Sequence, residues 1–204
     1  MSEKTHDPRL TAVDHNPFEG PQVLASCPST EAQREIWTSA GLGDEASCAF
    51  NLSSALHMRG TLDLDALRSA FQDLEERHEA LRVTLASDGS TLCISEATKV
   101  ILQTKDLERL EGEQREQTLQ DLFRQEVSTP FDLEHGPLFR ASVLRYGPQE
   151  HWLVLTTHHI ICDGWSISVI LRDLAALYSA RLEERPAALP EAPRFTQYAS
   201  SGTD

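Results

Sequence analysis

A chain of 204 residues with 40% hydrophobic and 25% charged side chains is long enough to bury a core as one domain. Its 18 Lys and Arg against 32 Asp and Glu give a formal net charge of -14, which repels phosphate backbones and anionic lipid and argues against nucleic acid or a membrane surface as partner. No apolar run approaches the ~18 residues that span a bilayer, and the start lacks the apolar segment of a secretory signal, so a cytoplasmic protein is expected.

Residues 1–27 carry Pro8, Pro17, Gly20 and Pro21 without an apolar period and read as a flexible linker. A helix opens at Ser29-Thr-Glu-Ala-Gln-Arg-Glu-Ile-Trp37, where Thr30 and Gln33 have capping-box spacing. Leu52, Ser54, Leu56 and Met58 alternate as in a strand. From Asp63, a candidate cap, the period changes. Leu64, Leu67, Phe71, Leu74, His78 and Leu81 predict an amphipathic helix. Leu81–Ala86 and Thr91–Ser95 flank Ser87-Asp88-Gly89-Ser90 and predict a hairpin, and a short strand is expected over Val100–Gln103. A second helix is expected over Glu113–Val127, stopping before Pro130. Leu138–Tyr146 and Trp152–His158 read as strands joined across Gly147-Pro148-Gln149-Glu150. A polar loop then leads to a helix with Ile167, Ile170, Leu171, Leu174 and Leu177 on one face. The tail over 183–204 holds Pro186, Pro190 and Pro193 and is expected to bury little. Strands and helices mix along the chain, so the class is α/β.

The four cysteines, Cys27, Cys48, Cys93 and Cys162, form no C-x-x-C pair and read as reduced, mostly packed thiols. Chemistry concentrates in Thr156-Thr-His158-His159-Ile-Ile-Cys162-Asp163-Gly164-Trp165-Ser166. Strand side chains alternate faces, so His158 and His159 point in opposite directions. One can face a cleft while the other packs inside, which argues against a shared metal, since that would need both rings on one side. A histidine at a strand end can act on a substrate proton. Asp163 can return across the loop to hold either the ring or a nearby cation. Gly164 removes a side chain where the backbone turns sharply or a substrate passes. Either Ser166 or Asp163 caps the helix that follows. Each of these residues alone is more often structural than catalytic; their order together is the specific signal.

His158-His159-x-x-x-Asp163-Gly164 is similar to the HHxxxDG signature of nonribosomal-peptide-synthetase condensation domains and the wider chloramphenicol-acetyltransferase-like acyltransferases. Ser29-Thr-Glu-Ala-Gln-Arg-Glu-Ile-Trp37 resembles the first block of that family, with one extra residue after Ser29. Arg77-His78-Glu79-Ala80-Leu81-Arg82-Val83-Thr84-Leu85 resembles its second block, with Val83 and Leu85 as departures. Pro130-Phe131-Asp132-Leu133 and Gly136-Pro137-Leu138-Phe139-Arg140 resemble the lead-in to the histidine strand, and Phe195-Thr-Gln-Tyr198-Ala199 the beginning of a later block. Gly43-Asp44-Glu45-Ala46-Ser47 looks like condensation domains placed downstream of polyketide modules.

The resemblance implies one lobe, over residues 28–182, of a two-lobed fold with a mixed sheet flanked by helices. Residues 183–204 would lead toward a missing C-terminal lobe. His159 would contact the acceptor amine, positioning it or taking its proton, and His158 would be mainly structural. Asp163 would form an internal ion pair, with Arg82 as candidate partner, and Gly164 would line the channel. The implied reaction joins a carrier-bound acyl or peptidyl thioester to a carrier-bound aminoacyl amine. The domain binds no cofactor or metal of its own; the phosphopantetheine arms belong to partner carrier domains. As a half, the chain is expected to show little condensation activity and to expose an apolar face that favours self-association. The alternatives are a CoA-dependent acyltransferase and a non-catalytic, truncated scaffold lobe.

Overall fold

The computed structural model describes residues 22–97 and 101–196. The linker over residues 1–21, the start of the expected strand at Val100 and the segment from residue 197 onward lie outside the described residues. In chain order the elements are β1 (Val23–Pro28), α1 (Glu31–Ala40), α2 (Asp44–Cys48), β2 (Asn51–Arg59), α3 (Leu64–Arg77), β3 (Val83–Leu85), β4 (Thr91–Ser95), β5 (Leu102–Asp106), α4 (Glu113–Ser128), β6 (Phe139–Gly147), β7 (Glu150–His158) and α5 (Gly164–Leu182). A 3-10 turn over Glu79–Arg82 links α3 to β3.

Among the described residues two sheets form, a small antiparallel one ordered β1-β4-β3 and a larger mixed one ordered β2-β7-β6-β5. In the larger sheet β5 and β6 run parallel, while β6–β7 and β2–β7 are antiparallel. The apolar run of β7 is nearly continuous because both faces of the sheet are covered. Ala141, Val143, Leu153 and Leu155 share one core with Phe71 and Leu74 of α3 and with Ile170 and Leu174 of α5. Leu144, Tyr146 and Val154, one residue out of phase, share a second core with Leu122 of α4. The sheet therefore lies between α3 and α5 on one face and α4 on the other, a mixed sheet flanked by helices.

Local chemistry sets the helix starts. Thr30 and Gln33 close a capping box on α1, and the Asp63 carboxylate accepts hydrogen bonds from the Asp65 and Ala66 N–H groups, both at 2.9 Å. The α3–α5 contact carries a fully buried carboxylate, Asp173. It receives Arg77 Nε at 2.9 Å, His78 Nε2 at 3.0 Å and Arg172 Nη2 at 3.0 Å.

Several expectations are corrected. Residues 23–27 are not linker: they form β1 with Pro28, pair with β4, and bury Cys27 against the core. Helix α3 ends at Arg77, short of Leu81, because His78 takes an extended backbone conformation and its ring turns to Asp173. The strand expected over Leu81–Ala86 therefore shortens to Val83–Leu85. Helix α2, at five residues, is too short to show a period in the sequence. The tail is not wholly unburied, since Ala187, Leu189 and Phe195 pack against the main core and Glu79 accepts the Thr196 N–H at 3.2 Å.

Candidate active site

Strand β7 delivers the two histidines. Its pairing continues past the last strand residue: His158 N–H donates to the Leu138 carbonyl at 3.1 Å, and His159 N–H to the Phe50 carbonyl at 2.8 Å. The pleat at the end of the strand sends the two rings to opposite sides. His158 is fully buried and His159 is exposed. The chain then turns, with Ile161 N–H donating to the His158 carbonyl at 3.1 Å, while Ile160, Ile161 and Cys162 bury in the core.

His158 packs between two aromatic rings, Phe50 at 5.9 Å and the edge-on Phe131 at 6.1 Å. Its Nδ1 accepts the Ile160 N–H at 3.2 Å, so that nitrogen carries no proton. Burial lowers its pKa to about 4; the Ser47 backbone opposes this only in part, and the neighbouring His159 adds to it. Nε2 makes no hydrogen bond of ordinary geometry. The ring is a neutral structural wedge at the end of the strand.

His159 is arranged differently. Its Nδ1 lies 2.9 Å from the Cys162 carbonyl. A carbonyl can only accept, so Nδ1 holds the proton and Nε2 of the neutral ring presents its lone pair at the exposed side. Such a nitrogen can accept a proton from, or a hydrogen bond of, an incoming amine. The Cys162 thiol is pushed up, first by burial, and is packing rather than a nucleophile.

Asp163 caps α5. One carboxylate oxygen accepts Ser166 N–H at 2.8 Å and Ser166 O–H at 2.6 Å. The Ser166 hydroxyl first, then its N–H, hold this carboxyl below the usual carboxylate range. A negative charge at the start of a 19-residue helix is also favoured by the helix dipole. The expected ion pair with Arg82 does not form. Arg82 sits at the end of the 3-10 turn, where Nε donates to the Glu75 carbonyl at 3.0 Å and Nη1 to the Ser95 carbonyl. The turn directs that guanidinium to α3 and β4, and the Asp–Arg pair buried in this lobe is Asp173 with Arg77.

Gly164 opens α5 with no positive φ, and a Cβ placed there would meet nothing within 4 Å. The turn alternative is therefore removed: neither backbone strain nor packing within the described chain requires glycine. Trp165 beside it is 80% exposed. Composition and spacing missed Phe50, Phe131 and Ser47, which surround His158 from distant segments. They also missed the reach of Gln33 from its cap to the histidine loop, where Nε2 donates to the Ile160 carbonyl at 3.0 Å. The capping box drew attention to Gln33, but only its acceptor end.

The family described as Condensation domain matches residues 24–204. Chondramide synthase from Chondromyces crocatus is 39% identical over 174 residues, which is 84% of this chain and 4% of that protein. A linear gramicidin synthase from Brevibacillus parabrevis is 37% identical over 194 residues, 89% of this chain and 4% of that one. The starter condensation domain of rhizomide synthetase superposes with a TM-score of 0.78 at 23% identity, covering 87% of this chain and 43% of the solved chain. The chain thus spans less than half of that structure and a few per cent of the synthetases. The family match runs over residues 24–204, most of the chain: this chain belongs to the condensation domain family.

Proposed function

We propose that this chain is the histidine-bearing lobe of an amide-forming enzyme of nonribosomal peptide or hybrid polyketide–peptide assembly. A carrier-bound aminoacyl amine attacks the carbonyl of a carrier-bound acyl or peptidyl thioester. The C–N bond forms, the C–S bond breaks, and the amine proton passes to the departing thiolate. His159 Nε2 accepts that proton or its hydrogen bond during attack, while Nδ1 stays tied to the Cys162 carbonyl. A thioester is already activated, so alignment of amine and carbonyl supplies much of the rate. The reacting thioesters are carried on phosphopantetheine arms of partner carrier domains, and a second lobe completes the site. The open volume outside Gly164 supports a passage for the acceptor arm beside His159.

The observation that carries this reading is the exposed His159 with one nitrogen committed and the other free to act. The test compares the 204-residue chain alone with the same chain joined to a second condensation lobe, using carrier-loaded donor and acceptor or acyl-CoA. Amide product is expected from the joined form with carrier-bound donors. Efficient turnover by the lone chain, or a preference for acyl-CoA, would overturn it.

A further inference from the structure

Gln33 reaches the histidine loop from a different part of the chain. Its side chain is 8% exposed and uses both ends of its amide. Oε1 accepts the Thr30 N–H at 3.0 Å, which closes the α1 cap. Nε2 donates to the Ile160 carbonyl at 3.0 Å. That carbonyl belongs to the peptide unit joining Ile160 to Ile161, whose N–H donates to the His158 carbonyl at 3.1 Å. The same peptide plane is thus held at both ends, by Gln33 and by the end of β7.

Next in the chain are Ile161 and Cys162, 6% and 4% exposed and packed in the core. A fixed peptide plane followed by two anchored side chains leaves the Cys162 carbonyl little freedom. That carbonyl accepts the His159 Nδ1 proton and so decides which ring nitrogen is bare. Without the Gln33 donor the Ile160 carbonyl is a buried acceptor lacking its partner, and the peptide plane is free to rotate toward another. The Cys162 carbonyl then moves with it.

We propose that Gln33 is a positioning residue for His159, holding the histidine loop so that the imidazole stays protonated on Nδ1 and bare on Nε2. This deepens the reading of His159 as the reacting imidazole and rests on it for its catalytic meaning. Gln33 touches no reacting atom.

The test is spectroscopic and uses the 204-residue chain itself. In the wild-type chain, nitrogen shifts of the neutral His159 ring are expected to report the Nδ1-protonated tautomer. A coupling across the hydrogen bond from the Gln33 side-chain nitrogen to the Ile160 carbonyl carbon is expected as well. Gln33→Glu keeps the size and the acceptor of the cap but turns a carboxylate oxygen toward the Ile160 carbonyl. It is expected to shift the ring to a mixture dominated by the Nε2-protonated form, with backbone amide positions of α3 and β6 unchanged. Thr30→Ala, which weakens the cap and leaves the Ile160 bond, is expected to keep the wild-type tautomer. Should Gln33→Glu fail to fold, Gln33→Met, of similar volume and with no N–H donor, is read in the same way. A folded Gln33 variant with the Nδ1 tautomer intact, or a wild-type chain lacking the coupling to Ile160, would overturn the proposal. Neither readout involves amide formation, so failure of the amide-forming reading is seen separately in the joined-lobe assay.

Discussion

The two adjacent histidines sit in opposite environments, His158 buried and His159 exposed, and each environment makes a separate prediction. His158 has a pKa lowered to about 4 by burial, against an ordinary value of 6.5. The unfolded chain binds that proton first as pH falls, so the neutral ring's contribution is fully present above pH 6.5 and is lost between pH 6.5 and 4. The loss amounts to about 3 kcal/mol. Denaturant midpoints across that window should show a slope that His158→Asn reduces, the remainder belonging to groups such as His78 and His151, whose pKa burial also lowers; a wild-type and variant pair with equal slopes would contradict the burial. At Asp163 and Arg82 the two side chains serve different elements, so a double-mutant cycle should give a coupling near zero. Asp163→Ala alone should cost about 1 kcal/mol through the lost helix cap. Thermal melts of the two single variants and the double variant decide this.

The elements show where sequence reading reaches its limit. Helices α1, α3, α4 and α5 and strands β2, β6 and β7 were legible because their apolar period or caps are local signals: Thr30 and Gln33, Asp63, and the alternation of Leu52 to Met58. The end of α3 was not. Leu81 continues the helical period, but the helix stops after Arg77, where His78 turns extended and its ring meets the buried carboxylate of Asp173, 95 positions away. Strand β1 was hidden for the same reason, since its partner β4 lies some 65 residues on and the Pro- and Gly-bearing segment before it reads as linker. The two histidines' opposite faces followed from the pleat, whereas the ring partners of His158 and the second end of Gln33 depended on tertiary contacts. These contacts give a further expectation. Asp173→Ala leaves Arg77, His78 and Arg172 without their buried acceptor and should cost about 3–5 kcal/mol. Gly89 has φ +68°, and a Cβ there would lie 2.4 Å from the Trp37 ring. Gly89→Ala should therefore cost about 2–4 kcal/mol by backbone strain and overpacking together. Chemical denaturation measures both; losses below 1 kcal/mol would contradict the packing described.

At the scale of the whole molecule, one sheet divides two cores and presents His159 at the end of its β7 strand, beside an open glycine and an exposed tryptophan. No helix among the described residues is long and apolar enough to cross a membrane. Trp165 at 80% and Leu42 at 82% exposure are large apolar side chains open to solvent. Sedimentation at rising concentration should show weak self-association of the chain that joining a second lobe removes. The most direct test of the central claim is single-turnover amide formation by that joined form, with His159 intact and with His159→Ala. A fall of about 100- to 10,000-fold, the usual contribution of a positioned acid–base group, is the predicted result. Undiminished product formation by His159→Ala would show that this imidazole does not handle the amine.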